Sequence, residues 1–97
     1  VTDPRPVMGD VSFHIEDCAA AVENMLLAIT ALGYATVWLD GALRYNRIAE
    51  RIGEMLSVPP DRQVRILLPL GIPAEPGTQR EKLPFEKRAW FNGWGKS

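Results

Sequence analysis

The chain has 97 residues, 46% hydrophobic and 24% charged, which is typical of one small globular domain and not of a disordered segment. Its formal net charge of −1 provides no basic surface for a nucleic-acid backbone or an anionic membrane, so neither is expected as a partner. One cysteine and one histidine exclude an internal disulfide and a Cys/His zinc site, so Cys18 and His14 are interpreted as structural residues and no metal is expected.

The first 15 residues are interpreted as an entry loop. Their VTDPRPVMGDVSF stretch resembles the exit from a strand that begins upstream, so further protein is expected before Val1. No secretory signal pattern opens the chain, and the longest apolar segment is interrupted by the polar residues Glu23, Asn24 and Thr30. A cytoplasmic location is therefore expected.

Residues from Glu16 to Leu32 predict a helix, because they are rich in strong helix formers. Two acidic residues lie at its positive end, and Gly33 favours a left-handed stop. One apolar stripe contains Cys18, Val22, Met25, Ile29 and Leu32, and other apolar residues spread around the remaining faces. A helix of this kind is buried on several sides. We therefore expect a missing segment, a second subunit, or both, to pack on it.

The next stretch predicts a strand and then an amphipathic helix. Ala35–Leu39 is short and apolar and ends at Asp40-Gly41. The following apolar residues fall at helical spacing: Tyr45, Ile48, Ala49, Ile52, Met55 and Leu56. The charged residues opposite are interpreted as a solvated face: Arg44, Arg47, Glu50, Arg51 and Glu54.

Gln63–Gly71 predicts a second strand, in which Pro69 weakens pairing toward the end. The residues Val64, Ile66, Leu68 and Leu70 share one face. Spacing alone predicts that the two strands are parallel and joined by a crossover. Two strands form a marginal sheet, so the chain is expected to be part of a larger fold. Residues 72–97 form an extended, aromatic tail that is expected to dock on another surface.

Three stretches in this order resemble the C-terminal half of the nitroreductase family of flavin enzymes: ENMLLAITALGYATVWLDG, VPPDRQVRILLPLGIPAEP and REKLPFEKRAWFNGW. The resemblance covers about Asp17 to Trp94, and the family's N-terminal flavin-binding arginine and serine residues have no counterpart here. It implies an α+β fold with a mixed, mainly antiparallel sheet flanked by helices. The chain would be the C-terminal portion of one domain, with helix, strand, helix and strand in residues 16–71. Missing segments and a dimer partner would complete it. Where the antiparallel sheet implied by the family conflicts with the parallel crossover predicted from spacing, we expect the antiparallel sheet.

The resemblance also implies an FMN site. Trp38, Leu39, Asp40 and Gly41 would lie against the isoalloxazine ring, with the last two backbone N–H groups directed at flavin N5 and O4. Without the family, Asp-Gly after an apolar run is simply a turn. Arg80 and Lys82 match the basic pair that reaches the FMN phosphate; alternatively, both are solvated surface charges. The 16–33 helix and the tail would pack on the partner of a homodimer.

The function implied by the resemblance is an FMN-dependent oxidoreductase that passes a hydride from NAD(P)H through the flavin to a nitroaromatic, a quinone or a similar acceptor. The cofactor carries this chemistry, so no catalytic side chain is assigned. The isolated 97-residue chain is expected to be inactive. Two alternatives stay open: a non-catalytic dimerisation or binding fragment, and another flavin chemistry on the same scaffold.

Overall fold

The structure is a computed structural model that describes residues 1–96. It contains two α-helices, a two-stranded antiparallel sheet and two single turns of 3-10 helix. In chain order these are α1 (His14–Ala31), β1 (Ala35–Thr36), a 3-10 turn (Gly41–Arg44), α2 (Ile48–Met55), β2 (Leu70–Gly71) and a second 3-10 turn (Phe85–Lys87). Helices and an antiparallel pair in one chain are compatible with the α+β fold.

Helix α1 ends at the predicted glycine. Gly33 has a φ of +82° and its N–H donates to the carbonyl of Thr30 at 3.1 Å. The next N–H, from Tyr34, donates to the carbonyl of Ile29 at 3.0 Å. These two bonds form a Schellman motif, which satisfies carbonyls that the helix end would leave free. The left-handed stop is therefore confirmed.

The apolar stripe of α1 is packed only in part within this chain. Val22 is 6% exposed, and Cys18 and Ile29 are half-buried. Met25 and Leu32 are 52% and 73% exposed, although Met25 lines a cavity together with Val22 and Ile66. Cover of the remaining apolar surface by a further segment or a second subunit stays a prediction.

Helix α2 is shorter than predicted. Asn46 and Arg47 have φ values of +49° and +56°, so the backbone is left-handed where the helix was expected to be under way. The helix begins only at Ile48. The predicted apolar face is packed at its centre, where Ile48, Ala49 and Ile52 are half-buried, but not at its ends, where Tyr45, Met55 and Leu56 are exposed.

The two strands are antiparallel, so the direction predicted from spacing is wrong and the direction implied by the resemblance is confirmed. The pairs Ala35–Gly71, Thr36–Leu70 and Leu39–Leu67 keep one register. A crossover helix would pack across the sheet, whereas α2 packs on the 3-10 turn that follows Leu39. The chain can therefore re-enter the sheet from the end at which it left.

Pro69 interrupts this pairing, as predicted. In the observed register it lies opposite Val37, where it has no N–H to donate. The Thr36 hydroxyl donates instead to the Pro69 carbonyl at 2.6 Å. Regular pairing is consequently confined to two residues on one side of Pro69 and to the Leu39–Leu67 bridge on the other.

The described chain has almost no core of its own. Val22 and Leu43 are its two buried hydrophobic residues. Its radius of gyration is 17.7 Å, compared with about 13 Å for a compact domain of this length. Its accessible surface is 8276 Å², whereas a folded monomer of this mass exposes roughly 5,500 Å². Much apolar surface is therefore left uncovered. Within residues 1–96, neither helix is long and apolar enough to cross a membrane.

Candidate functional site

The predicted cofactor turn lies directly after the bridge between Leu39 and Leu67. The two residues exchange backbone hydrogen bonds of 3.1 and 2.9 Å, which fix the end of the strand segment. The 3-10 turn then begins at Gly41, and the Leu43 N–H donates to the Asp40 carbonyl at 3.0 Å. Leu43 is 5% exposed, and its buried side chain holds the turn against the rest of the chain. The turn therefore has a defined backbone.

A bidentate ion pair closes the same turn. Arg44 Nε and Nη2 donate to the two carboxylate oxygens of Asp40, both at 3.0 Å. The Asp40 side chain is 25% exposed and the Arg44 side chain 55%. Parallel bonds of this kind fix the orientation of both groups. The Asp40 carboxylate is thus occupied within the protein, and any contact with a ligand falls to the backbone.

The backbone of this turn has free donors and open space. Among the described residues, the N–H groups of Asp40 and Gly41 donate no hydrogen bond. A Cβ added at Gly41 would meet no atom within 4 Å, and the φ of Gly41 is not left-handed. The backbone conformation therefore does not require glycine at this position. Two free donors beside open space fit the edge of a flat, acceptor-bearing ring such as flavin.

Trp38 and Leu39, the other two residues predicted at the ring, precede this turn. Trp38 is 36% exposed and Leu39 is half-buried. The structure therefore groups all four predicted ring residues at the end of one strand segment.

The predicted phosphate residues lie elsewhere. Arg80 and Lys82 are exposed, in a part of the tail without regular structure. Within residues 1–96, neither side chain makes an ion pair, and no hydrogen bond links either one to the Asp40 turn. The chain alone does not bring the two halves of the predicted site together.

The aromatic tail packs mainly on itself. The rings of Phe85 and Phe91 have centroids 6.2 Å apart, and those of Trp90 and Trp94 are 4.0 Å apart. The Arg88 guanidinium lies 5.8 Å from the centroid of the Phe85 ring. Its Nε also donates to the Leu83 carbonyl at 2.8 Å. These contacts give the tail local order while most of its aromatic surface stays exposed.

The structure also reveals an arginine groove that was not predicted. It has a volume of about 550 Å³ and is lined by four arginines and one carboxylate: Arg44, Arg47, Arg62, Arg65 and Glu50. The sequence analysis placed three of these residues on a solvated helix face. That interpretation is incomplete, because the fold brings the start of α2 against the segment that follows Pro60. No local spacing marks such a groove, since its two halves lie on different elements that only the fold brings together.

Two carboxylates neutralise one arginine of the groove. Arg62 lies 2.6 Å from Asp61 and 3.6 Å from Asp3. Asp3 also accepts hydrogen bonds from the Arg5 side chain and, at 3.1 Å, from the Arg5 backbone N–H. The Arg5 side chain, followed by that N–H, lowers the pKa of Asp3 from 3.8 to about 2. Asp3 is therefore a stable counterion at neutral pH.

Arg65 differs from Arg62. Its Nε is buried and has no hydrogen-bond acceptor in the described chain. A buried donor without a partner is costly, and a cationic one more so. No group of three or more metal-ligating side chains occurs in residues 1–96.

Comparisons with known proteins identify one family and two relatives of the chain. Residues 8–72 match the model of the Nitroreductase family. A protein of Archaeoglobus fulgidus named "Putative NADH dehydrogenase/NAD(P)H nitroreductase" is 34% identical over 73 residues, which are 75% of this chain and 41% of that protein. A protein of the same name from Methanothermobacter thermautotrophicus is 38% identical over 68 residues, 69% of this chain and 35% of that protein.

The chain spans about two fifths or less of the length of these relatives. The family match includes the Asp40 turn and ends before Arg80 and Lys82. No solved structure matches the chain.

Proposed function

The chain belongs to the nitroreductase family, and on this premise we propose that the complete protein is an FMN-dependent oxidoreductase. It takes a hydride from NAD(P)H and passes the electrons to a small acceptor such as a nitroaromatic or a quinone. The names of both relatives include NAD(P)H nitroreductase, which supports the choice of reductant and acceptor class. The flavin supplies the redox chemistry, and the chain supplies placement and electrostatics.

The observation that carries this proposal is the pair of free backbone donors at Asp40 and Gly41. Oxidised flavin presents acceptors along one edge of its ring, so two adjacent N–H groups can hold that edge. Donors that are fixed before the reaction stabilise the negative charge that develops on the ring during reduction. The bridge at Leu39 and the Arg44–Asp40 pair hold these donors in place.

Side chains complete the site in this proposal. Trp38 and Leu39 provide apolar surface beside the ring, which limits access of water. Arg80 and Lys82 bind the phosphate of FMN, since alternate residues of an extended segment can direct two cations at one dianion. Both are exposed and make no ion pair in the described chain, so they are available for this role.

We also propose that the protein is a homodimer. Helix α1 exposes a surface that includes Met25 at 52% and Leu27 at 63%. The tail exposes Phe85 at 55%, Phe91 at 62% and Trp94 at 86%. Burial of such surface contributes about 25 cal/mol per Å². A second copy that covers α1 with its tail would remove both surfaces from water.

Spectroscopy of the complete encoded protein tests the proposed function. The purified protein is expected to show the visible absorption of oxidised flavin. Anaerobic addition of NADH or NADPH should bleach it, and a nitroaromatic or quinone should restore it. A colourless protein that takes up no added FMN would contradict the proposal. It would favour the alternative of a non-catalytic dimerisation or binding fragment. Bound flavin that neither nucleotide reduces would indicate another flavin chemistry.

A further inference from the structure

We propose that the arginine groove binds the phosphate and ribose groups of a nucleotide, and that this nucleotide is the pyridine dinucleotide reductant. The identity of the nucleotide rests on the proposed function. The claim that the groove binds nucleotide phosphate rests only on the residues of the groove, so this claim and the proposed function can be tested separately.

The charges in the groove favour an anion. Arg44 and Arg62 are already paired with aspartates. Within the described chain, Arg47 and Arg65 have no carboxylate within 4.0 Å. Two arginines without an ion-pair partner thus line one cleft in a protein whose net charge is −1. The planar guanidinium fork matches the geometry of phosphate oxygens.

Arg65 provides independent support, because its Nε is buried without an acceptor. A native structure normally pairs such an atom. A ligand in the groove does not contact the buried Nε itself. Arg65 lines the groove, however, so an oxyanion there can reach the rest of its side chain and offset the cost of partly burying this cation.

Glu50 indicates a nucleotide and not free phosphate. It is the single carboxylate in the lining, and it would repel a small dianion that filled the cleft. A carboxylate is, however, a good acceptor for ribose hydroxyls, as in other dinucleotide sites. The volume of about 550 Å³ lies within the range of small-molecule sites, roughly 300–1,000 Å³, and exceeds the needs of a single phosphate ion.

Arg44 connects the groove to the proposed flavin turn. Arg44 lines the groove, and its guanidinium group holds the Asp40 carboxylate by two hydrogen bonds of 3.0 Å. The groove therefore includes Leu43 and Arg44, the last two residues of the 3-10 turn that begins at Gly41. A dinucleotide with its phosphates in the groove would have its reactive end directed toward this turn.

Calorimetric titration of the complete protein tests the proposal, with ADP as the nucleotide probe and inorganic phosphate as the simple anion. ADP is expected to bind more tightly than phosphate. Arg47→Gln and Arg65→Gln should each weaken ADP binding by roughly tenfold or more, since each removes a charge-assisted contact. Arg51→Gln is the matched control, because Arg51 is an exposed arginine of α2 outside the groove lining. It should leave ADP affinity unchanged.

Arg47 is exposed, so Arg47→Gln is expected to fold even if the half-buried Arg65 does not tolerate substitution. Glu50→Gln gives the reverse test: weaker ADP binding and stronger phosphate binding. In steady-state kinetics, Arg47→Gln should raise the KM for NAD(P)H and leave flavin content and reoxidation by the acceptor unchanged.

Three results would overturn the inference: no ADP binding, equal binding of ADP and phosphate, or an effect of Arg51→Gln as large as that of Arg47→Gln. All three can occur in a yellow, active protein, in which case the proposed function stands. Conversely, a colourless protein whose ADP affinity depends on Arg47 would refute the proposed function and retain the nucleotide groove.

Discussion

The Asp40 turn and the 79–83 segment of the tail carry the two halves of the predicted flavin site, yet they are built in opposite ways. The turn is held by a strand bridge, a buried leucine and a bidentate ion pair. The tail segment is exposed and has no regular structure, and its two predicted cations have no ionic partner among residues 1–96. The turn is thus fixed by contacts within the described chain, whereas the tail segment is not.

This difference shows which parts of the predicted site have contacts within the described chain. Apart from the bridge to Leu67, the hydrogen bonds of the turn join residues close in the sequence, and α2 packs on it. The tail, in contrast, contains aromatic residues whose burial requires a surface that this chain does not offer. If the turn and the tail segment form one site, as proposed, mutations in the two should have different effects, and this expectation leads to four predictions.

The largest effect is expected on association. The isolated 97-residue chain should sediment as a dimer or larger species, because its exposed α1 and tail surfaces favour burial. Leu27→Glu places a charge on the exposed apolar face of α1 and should abolish association. Asn24→Glu, which adds the same charge at an already polar position of the helix, should have a much smaller effect. A well-folded monomer with a cooperative melt at low concentration would show that no partner is needed.

The next largest effect concerns the tail cations. Arg80→Ala with Lys82→Ala in the complete protein should weaken FMN binding by about 3 kcal/mol or more, since each phosphate contact contributes roughly 1.5–3 kcal/mol. Flavin titration measures this directly. Lys87→Ala with Lys96→Ala removes two tail charges elsewhere and serves as the control. Equal affinities for wild type and the Arg80/Lys82 variant would place both side chains among the solvated surface charges.

A smaller loss is expected at the turn. Gly41→Val should weaken flavin binding by about 2 kcal/mol, because a side chain would separate two backbone donors, each worth roughly 1 kcal/mol, from the ring. Folding should be unaffected, since a Cβ at Gly41 meets open space and its φ is not left-handed. Gly77→Val is the control at another open glycine. Full flavin occupancy and turnover in Gly41→Val would show that the Asp40–Gly41 pair is simply a turn and does not hold the flavin.

The smallest effect is expected from the ion pair that closes the turn. Arg44→Met should lower the free energy of unfolding by about 1 kcal/mol or less, because both partners are partly exposed to solvent. Arg51→Met removes an equivalent charge from an exposed site on α2, and denaturant unfolding compares the two. A loss of several kcal/mol at Arg44 alone would mean that the pair is buried in the assembled protein.

Sequence predicts those parts of this fold that local chemistry determines. Gly33 is predictable as a helix stop because glycine adopts the left-handed backbone without steric cost, and Pro69 as a break because it lacks a donor. The Asp40–Gly41 turn is predictable from the Asp-Gly pair, whereas its role at a flavin comes from the family resemblance alone and stays a prediction.

Features that depend on distant residues were missed or wrong. Strand direction does not follow from spacing, since the connection between Leu39 and Leu67 is long enough for either arrangement. The left-handed pair Asn46-Arg47 carries no glycine to mark it, so the start of α2 was placed too early. The arginine groove escaped detection because the fold alone brings its two halves together.

The most direct test of the central claim is amide NMR of Asp40 and Gly41 in the complete protein, recorded without and with FMN. Both N–H groups lack an acceptor in the described chain, so they should exchange rapidly without flavin. On FMN binding they should shift and become protected from exchange, while the Leu43 amide, already bonded to the Asp40 carbonyl, should change little. FMN that binds stoichiometrically and leaves both amides unprotected would contradict the assignment of this turn to the flavin.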